Sequence, residues 1–220
     1  MIIISLSSNI AGPACAVATS IKNNLYENKN YPTNYFDYLV VSLKSINQLL
    51  NLEKNDINHL DKNIKISDNI TDKKTVEFLN FDNMISYHDL KKNYNEKDLI
   101  NIIDKYKRRY YRLLNYIKNE KIIYFMRYGD ENINDIIEFN NNISKINPKL
   151  IFFFVNLIYQ ENMIRNNNDL NNYLLINFYY INNKNIEYEE DLFYKTLQFN
   201  WIKIFEIINN HYLSLTKNIN

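Results

Sequence analysis

Ile2-Ile3-Ile4-Ser5-Leu6 opens the chain and decides its fold class. A strand this apolar has no polar face to offer water, so both its faces must be covered. Two later runs read the same way: Ile122-Ile123-Tyr124-Phe125-Met126, which ends at Arg127, and Ile151-Phe152-Phe153-Phe154-Val155. Strands buried on both faces belong to parallel sheets whose crossovers lay helices on each side. The helices are legible between them. Leu99, Ile100, Ile103, Tyr106, Tyr110, Leu113, Leu114 and Ile117 fall on one face of a long helix. Ile133, Ile136, Ile137, Ile143 and Ile146 mark a second, stopped at Asn147-Pro148. The expectation is a single α/β domain over residues 1–220, with a central, mainly parallel sheet flanked by helices on both faces in three layers. Ile2–Leu6, Ile122–Met126 and Ile151–Val155 should lie side by side.

Other elements are shorter. Phe36-Asp37-Tyr38-Leu39-Val40-Val41 leads into Leu43, Ile46, Leu49 and Leu50, whose three- and four-residue spacings predict a helix. Val76–Leu79 and Met84–Tyr87 read as short strands around a turn at Asp82-Asn83. The polar stretch Asn51–Thr75 reads as a loop with one strand-like patch at Ile64-Lys65-Ile66. Tyr173–Ile181 is a further strand, Glu161–Asn172 a surface loop. Leu192, Leu197, Trp201, Phe205 and Ile208 mark a closing helix.

Composition narrows the function classes. Asn, Ile, Lys and Tyr are over-used while Gly (2) and Pro (3) are scarce, the signature of AT-rich codons. A formal charge of +1 gives no field to draw in nucleic acid or an acidic membrane. One cysteine excludes an intrachain disulfide and a multi-thiolate zinc site, and points to a reducing compartment. Two glycines cannot build a phosphate-cradling loop. No apolar run is long enough to span a bilayer. The expected protein is intracellular and cytoplasmic, with no cofactor and no metal.

The cysteine is Cys15. It follows the first strand and the turn Ser7–Pro13, at the head of a predicted helix Cys15–Lys22. A thiol there would face the first N–H groups of that helix, which favour thiolate. A nucleophilic thiol needs a base, and the histidines are His59, His88 and His211. His59 in a polar loop and His211 near the chain end read as solvent-exposed. His88 follows the strand at Met84–Tyr87 and can project into a cleft, with Asp89 or Asp37 to hold its imidazole in the correct tautomer. Adjacent strand residues point to opposite faces, which counts against Asp89; a helix-capping role competes for Asp37. Arg108, Arg109, Arg112 and Arg127 read either as a solvated face or as an anion clamp. Arg127, at a strand end, is the more suggestive. Asn9 and Arg127 are the expected substrate-binding residues.

The order Ile-Ser-Leu-Ser-Ser-Asn, then Cys15-x-x-Ala18-x-x-Ile21, then Phe36-Asp37-Tyr38 and Ser42 resembles the opening of a papain-like cysteine peptidase family of unknown function found in bacteria and large DNA viruses. Tyr87-His88-Asp89, the Lys105–Leu113 helix, the strand ending at Arg127 and the Trp201-Ile202-x-Ile204-Phe205 helix are similar as well. The resemblance implies a Cys–His hydrolase acting on a peptide or another amide. Members place the cysteine almost directly after the first turn; a gap-free match puts Ile10 there, and Cys15 fits only with a longer loop. Two other functions remain open on the residues alone: a non-catalytic binding module on the same scaffold, and a nucleotide-sugar-type transferase using Arg127 and the Arg108-Arg109 pair.

Overall fold

The computed structural model describes residues 2–26, 32–52, 64–68, 73–129, 131–159, 173–178 and 201–219. In chain order the elements are β1 (Ile2–Ser5), α1 (Ala11–Leu25), β2 (Leu39–Val41), α2 (Leu43–Leu50), β3 (Ile64–Asp68), β4 (Lys73–Phe78), β5 (Met84–Lys91), α3 (Glu96–Asn119), β6 (Ile122–Tyr128), α4 (Ile133–Ile146), β7 (Ile151–Tyr159), β8 (Tyr173–Phe178) and α5 (Trp201–Ile219).

The three apolar runs pair in parallel. The sheet order is β1-β6-β7-β8, with Ile4 opposite Phe125 and Phe125 opposite Phe154. Side chains along these strands alternate between two cores, as a period of two requires. Ile4, Leu6, Ile123, Phe125, Phe152 and Phe154 join one core with α2, α3 and α4. Ile3, Tyr124, Met126, Tyr128, Phe153, Val155 and Leu157 join the other with Val17 and Ile21 of α1 and Trp201, Ile204, Phe205 and Ile208 of α5. Both faces of these strands are therefore buried, which is why the sequence carries no polar alternation there.

A second sheet, antiparallel and ordered β2-β5-β4-β3, stands beside the single central sheet that the sequence predicts. Its hairpin β4–β5 matches the two short strands read around Asp82-Asn83, and the Ile64–Ile66 patch lies in β3. Val76, Phe78, Met84 and Leu90 turn one face of this sheet into the first core. The segment Leu39–Val41, read as an approach to a helix, is instead the strand that pairs with Met84–Ser86.

Helix starts follow side-chain chemistry. Ser42 Oγ accepts the N–H of Ser45 at the head of α2. Asn95 and Asp98 form a reciprocal capping box on α3, and Asn132 caps α4. No helix among the described residues is long and apolar enough to cross a membrane. Leu192, Leu197, the loop at Glu161–Asn172 and His59 lie outside the described residues.

Candidate active site

The two sheets meet where β1 ends. Leu6 N–H donates to Met126 O at 2.7 Å and Tyr128 N–H to Ser7 O at 3.2 Å, which continues the parallel sheet. One residue on, Ser8 bridges to Val40, and Val41 N–H donates to Ser8 O at 2.9 Å, which joins the antiparallel sheet. The chain changes partner at Ser7, whose φ of 59° is left-handed, a costly conformation for a residue with a Cβ. Its buried hydroxyl holds the bend, donating to Leu39 O and lying 3.3 Å from Ala14 O.

Arg127 locks this junction. Its side chain is fully buried, with Nε on Glu131 Oε1 at 2.6 Å, Nη1 on Leu6 O at 2.8 Å and Nη2 on Val41 O at 2.9 Å. It ties β1 to β2 across the two sheets. The anion clamp expected of Arg127 is thereby corrected: its charge is spent inside the protein, on Glu131. Asn9, the other expected substrate residue, is exposed at the same carboxyl edge. It lies over Gly129, whose φ of 136° suits only glycine and whose Cβ position would stand 3.4 Å from Asn9 Oδ1.

Helix α1 rises from this edge. It begins at Ala11, with Ile10 as N-cap and no side-chain cap. Cys15 is thus the fifth helical residue and not the first, which corrects the expected dipole-activated thiol. Its side chain is half-buried, and burial pushes the thiol up to about 11, so the resting sulfur is protonated at neutral pH.

Cys15 Sγ lies 3.6 Å from His88 Nε2, within hydrogen-bond range for sulfur, although 73 residues separate the two in sequence. His88 is exposed on β5 although Met84, Ser86 and Leu90, at alternate positions of the same strand, are buried; the β4–β5 register shifts between Leu90 and Ser86, and the simple alternation breaks there. Asp89 accepts from Ser86 Oγ at 2.8 Å and from Tyr106 Oη, and pairs with Lys105. Burial alone would raise the Asp89 carboxyl; the Lys105 charge and these hydrogen bonds more than offset it and hold it below the usual carboxylate range. Asp37 is not a cap of α2, a position Ser42 fills; its Oδ2 accepts Asn34 N–H at 2.6 Å and braces the turn before β2. Of the four catalytic candidates the structure brings Cys15 and His88 together. Asp89 and Asp37 make no hydrogen bond to His88, which among the described residues bonds Cys15 only.

Tyr38 lies near Cys15. It carries the second left-handed non-glycine backbone, φ 66°, and its phenol hydrogen-bonds Thr19, one helical turn after Cys15 on the same face. Burial raises the Tyr38 hydroxyl, and the Thr19 hydrogen bond opposes that rise. Neither Ser7 nor Tyr38 could be singled out from sequence, since nothing in a serine or tyrosine marks a left-handed bend.

Nothing among family models, curated proteins or solved structures matches this chain. The functional reading therefore stands on geometry. Among the described residues no group of three His, Cys, Asp or Glu side chains is placed to hold a metal ion.

His211, expected at the surface, is wedged against the parallel sheet. Its Nδ1 is 3.0 Å from Tyr124 Oη and its ring meets Phe153 edge-on at 4.5 Å. Burial lowers its pKa. Unfolding exposes the imidazole and lets it bind a proton below about pH 6.5, so stability falls as pH drops through that range. The depressed Asp89 acts with the same sign at lower pH: its contribution is whole above the unfolded carboxyl pKa of about 3.9 and is lost as pH falls through the folded value. Urea midpoints should decline from neutral pH to pH 5. His211→Gln should flatten that first decline and leave the acid one; an unchanged slope would contradict the assignment.

Proposed function

We propose that this chain is a papain-like cysteine hydrolase in which Cys15 is the nucleophile and His88 the general base. The observation that carries the reading is the 3.6 Å separation of Cys15 Sγ and His88 Nε2. With the proton of the imidazole on Nδ1, Nε2 is free to accept the thiol proton. Sulfur then attacks an amide or ester carbonyl, and His88 returns the proton to the leaving amine or alcohol. Water opens the thioester in the reverse sense, losing a proton to His88. The N–H groups of Ala11 and Gly12, in the first turn of α1 and one turn before Cys15, are the donors proposed for the oxyanion; a side chain at Cys15 leans toward them because helical Cα–Cβ bonds tilt to the N-terminus. The scaffold suited to this role is the three-layer arrangement around the parallel sheet, and a reducing cytoplasmic setting suits a free thiol.

A second reading, a non-catalytic binding module, is favoured by the thiol held up at about 11. The two separate with 4-nitrophenyl acetate. A hydrolase releases nitrophenolate in a burst and carries one acetyl group on Cys15, seen by intact mass and peptide mapping, with both lost in Cys15→Ala. Acetylation spread over lysines and tyrosines, equal in Cys15→Ala, would support the binding module.

A further inference from the structure

At the amino edge of the parallel sheet, the far end of its strands from the Ser7 junction, lies a cavity of about 880 Å³. Its floor includes Ile122 and Ile151, the first residues of β6 and β7, which pair in register and so share one side of the sheet. Tyr212 and Thr216, one turn apart on α5, form a wall. Lys118 and Lys121, where α3 leads into β6, and Lys149, in the link from α4 to β7, stand at its rim with one acid, Glu120. The volume lies within the range of about 300–1,000 Å³ usual for small-ligand sites.

Two features separate this cavity from an ordinary solvated edge. The first is uncovered apolar surface: Ile151 is 36% exposed, although Phe152 to Leu157, which follow it in β7, are all buried. The second is unspent charge. Lysines close to the C-terminus of a helix ordinarily serve its orphan carbonyls. Here neutral donors hold them. Asn147 Nδ2 donates to Ile117 O at 2.9 Å and to Lys118 O at 3.3 Å, and Glu120 N–H donates to Tyr116 O at 2.9 Å. Among the described residues none of Lys118, Lys121 and Lys149 pairs with a carboxylate, Glu120 included.

Three ammonium groups thus border one cavity against a single carboxylate. Each is a point charge on a flexible stem, suited to phosphate, and together they can neutralise a chain of phosphoryl groups. Isoleucine and tyrosine side chains suit the face of a flat ring, and Glu120 can accept from sugar hydroxyls.

We propose that this cavity binds a nucleoside polyphosphate, with its phosphates on Lys118, Lys121 and Lys149 and its base on Ile151 and Tyr212. The lysines do here what a glycine-rich loop does elsewhere. The site lies away from Cys15 and His88, so it does not depend on the hydrolase reading.

Isothermal titration calorimetry on the full chain tests it, with EDTA present so that lysine and not a metal ion supplies the counter-charge. The probes are the four common ribonucleoside triphosphates, the parent nucleosides and inorganic triphosphate. At least one nucleoside triphosphate should bind at one site per chain, about tenfold tighter than its nucleoside and than inorganic triphosphate, the factor given by ~1.4 kcal/mol. Lys149→Gln should weaken it about tenfold, and Lys118→Gln with Lys121→Gln about a hundredfold, one charge-assisted hydrogen bond being lost per lysine. Lys97→Gln with Arg108→Gln is the control, since both side chains are exposed on α3. It removes as much charge, but the nearer of the two lies about 15 Å along the helix from Lys118, beyond the screening length of about 10 Å at 0.1 M salt, so the affinity should match the parent's. Absence of saturable binding by all four nucleotides would overturn the proposal. So would inorganic triphosphate that binds as tightly as the nucleotide, or equal losses in the two double variants. Cys15→Ala should bind nucleotide as the parent does, whatever becomes of hydrolysis; loss of binding there would move the nucleotide to the other cleft and overturn the assignment.

Discussion

Arg127→Met is expected to destabilise the fold by about 3–5 kcal/mol, the cost of breaking a buried ion pair from one side. Glu131, whose side chain is 6% exposed, would be left as an uncompensated carboxylate beneath the sheet edge. The carbonyls of Leu6 and Val41 would lose their donors at the same time. A domain has only about 5–15 kcal/mol in total, so the variant should unfold at much lower urea than the parent. Arg127→Met with Glu131→Leu should recover part of the loss, because the stranded charge is removed along with its partner. Glu131→Leu alone should also be costly, leaving the guanidinium without its anion. A small effect of Arg127→Met on the urea midpoint would contradict the structural role and return Arg127 to the candidates for ligand binding.

This reassignment shows where sequence reading stops. β1, β6 and β7 are legible because an apolar residue at every position admits only a sheet covered on both faces. α3 is legible because eight apolar positions repeat at helical spacing. The second sheet is harder. β2 is three residues long and runs directly into α2, so Leu39–Val41 shares its apolar character with the helix it precedes. Arg127 at a strand end looks the same in sequence whether it faces a ligand or a buried glutamate, and only the meeting of Leu6, Val41 and Glu131 around it decides. Asp89 is the converse. Its position next to His88 suggests an orienting acid, but a register shift in β5 turns it to Ser86, Tyr106 and Lys105, which no local pattern announces.

The start of α1 matters most for the chemistry. Gly12-Pro13 reads as a turn, but proline is well tolerated in the first turn of a helix, where its missing N–H would have no partner. The helix therefore begins at Ala11, before the cysteine, and moves Cys15 one turn inward. Burial then raises the thiol instead of the helix end lowering it. A thiol at about 11 is ionised in roughly one molecule in ten thousand at pH 7, so unassisted attack would be slow at that pH. Proton transfer to His88 removes that handicap. The expected contribution is of the order of general acid–base catalysis, about 10²–10⁴-fold.

The pH dependence of Cys15 alkylation by iodoacetamide tests this pairing most directly, since Cys15 is the single cysteine of the chain. In the unmodified protein, where His88 takes the thiol proton, the rate should rise with pH much less steeply than tenfold per unit. In His88→Ala that shallow dependence should be lost. The rate at pH 7 should drop by about 10²–10⁴-fold, then rise tenfold with each pH unit toward the value of about 11 set by burial. Superimposable profiles for the two proteins would contradict the Cys15–His88 pair and leave the cleft as a binding surface.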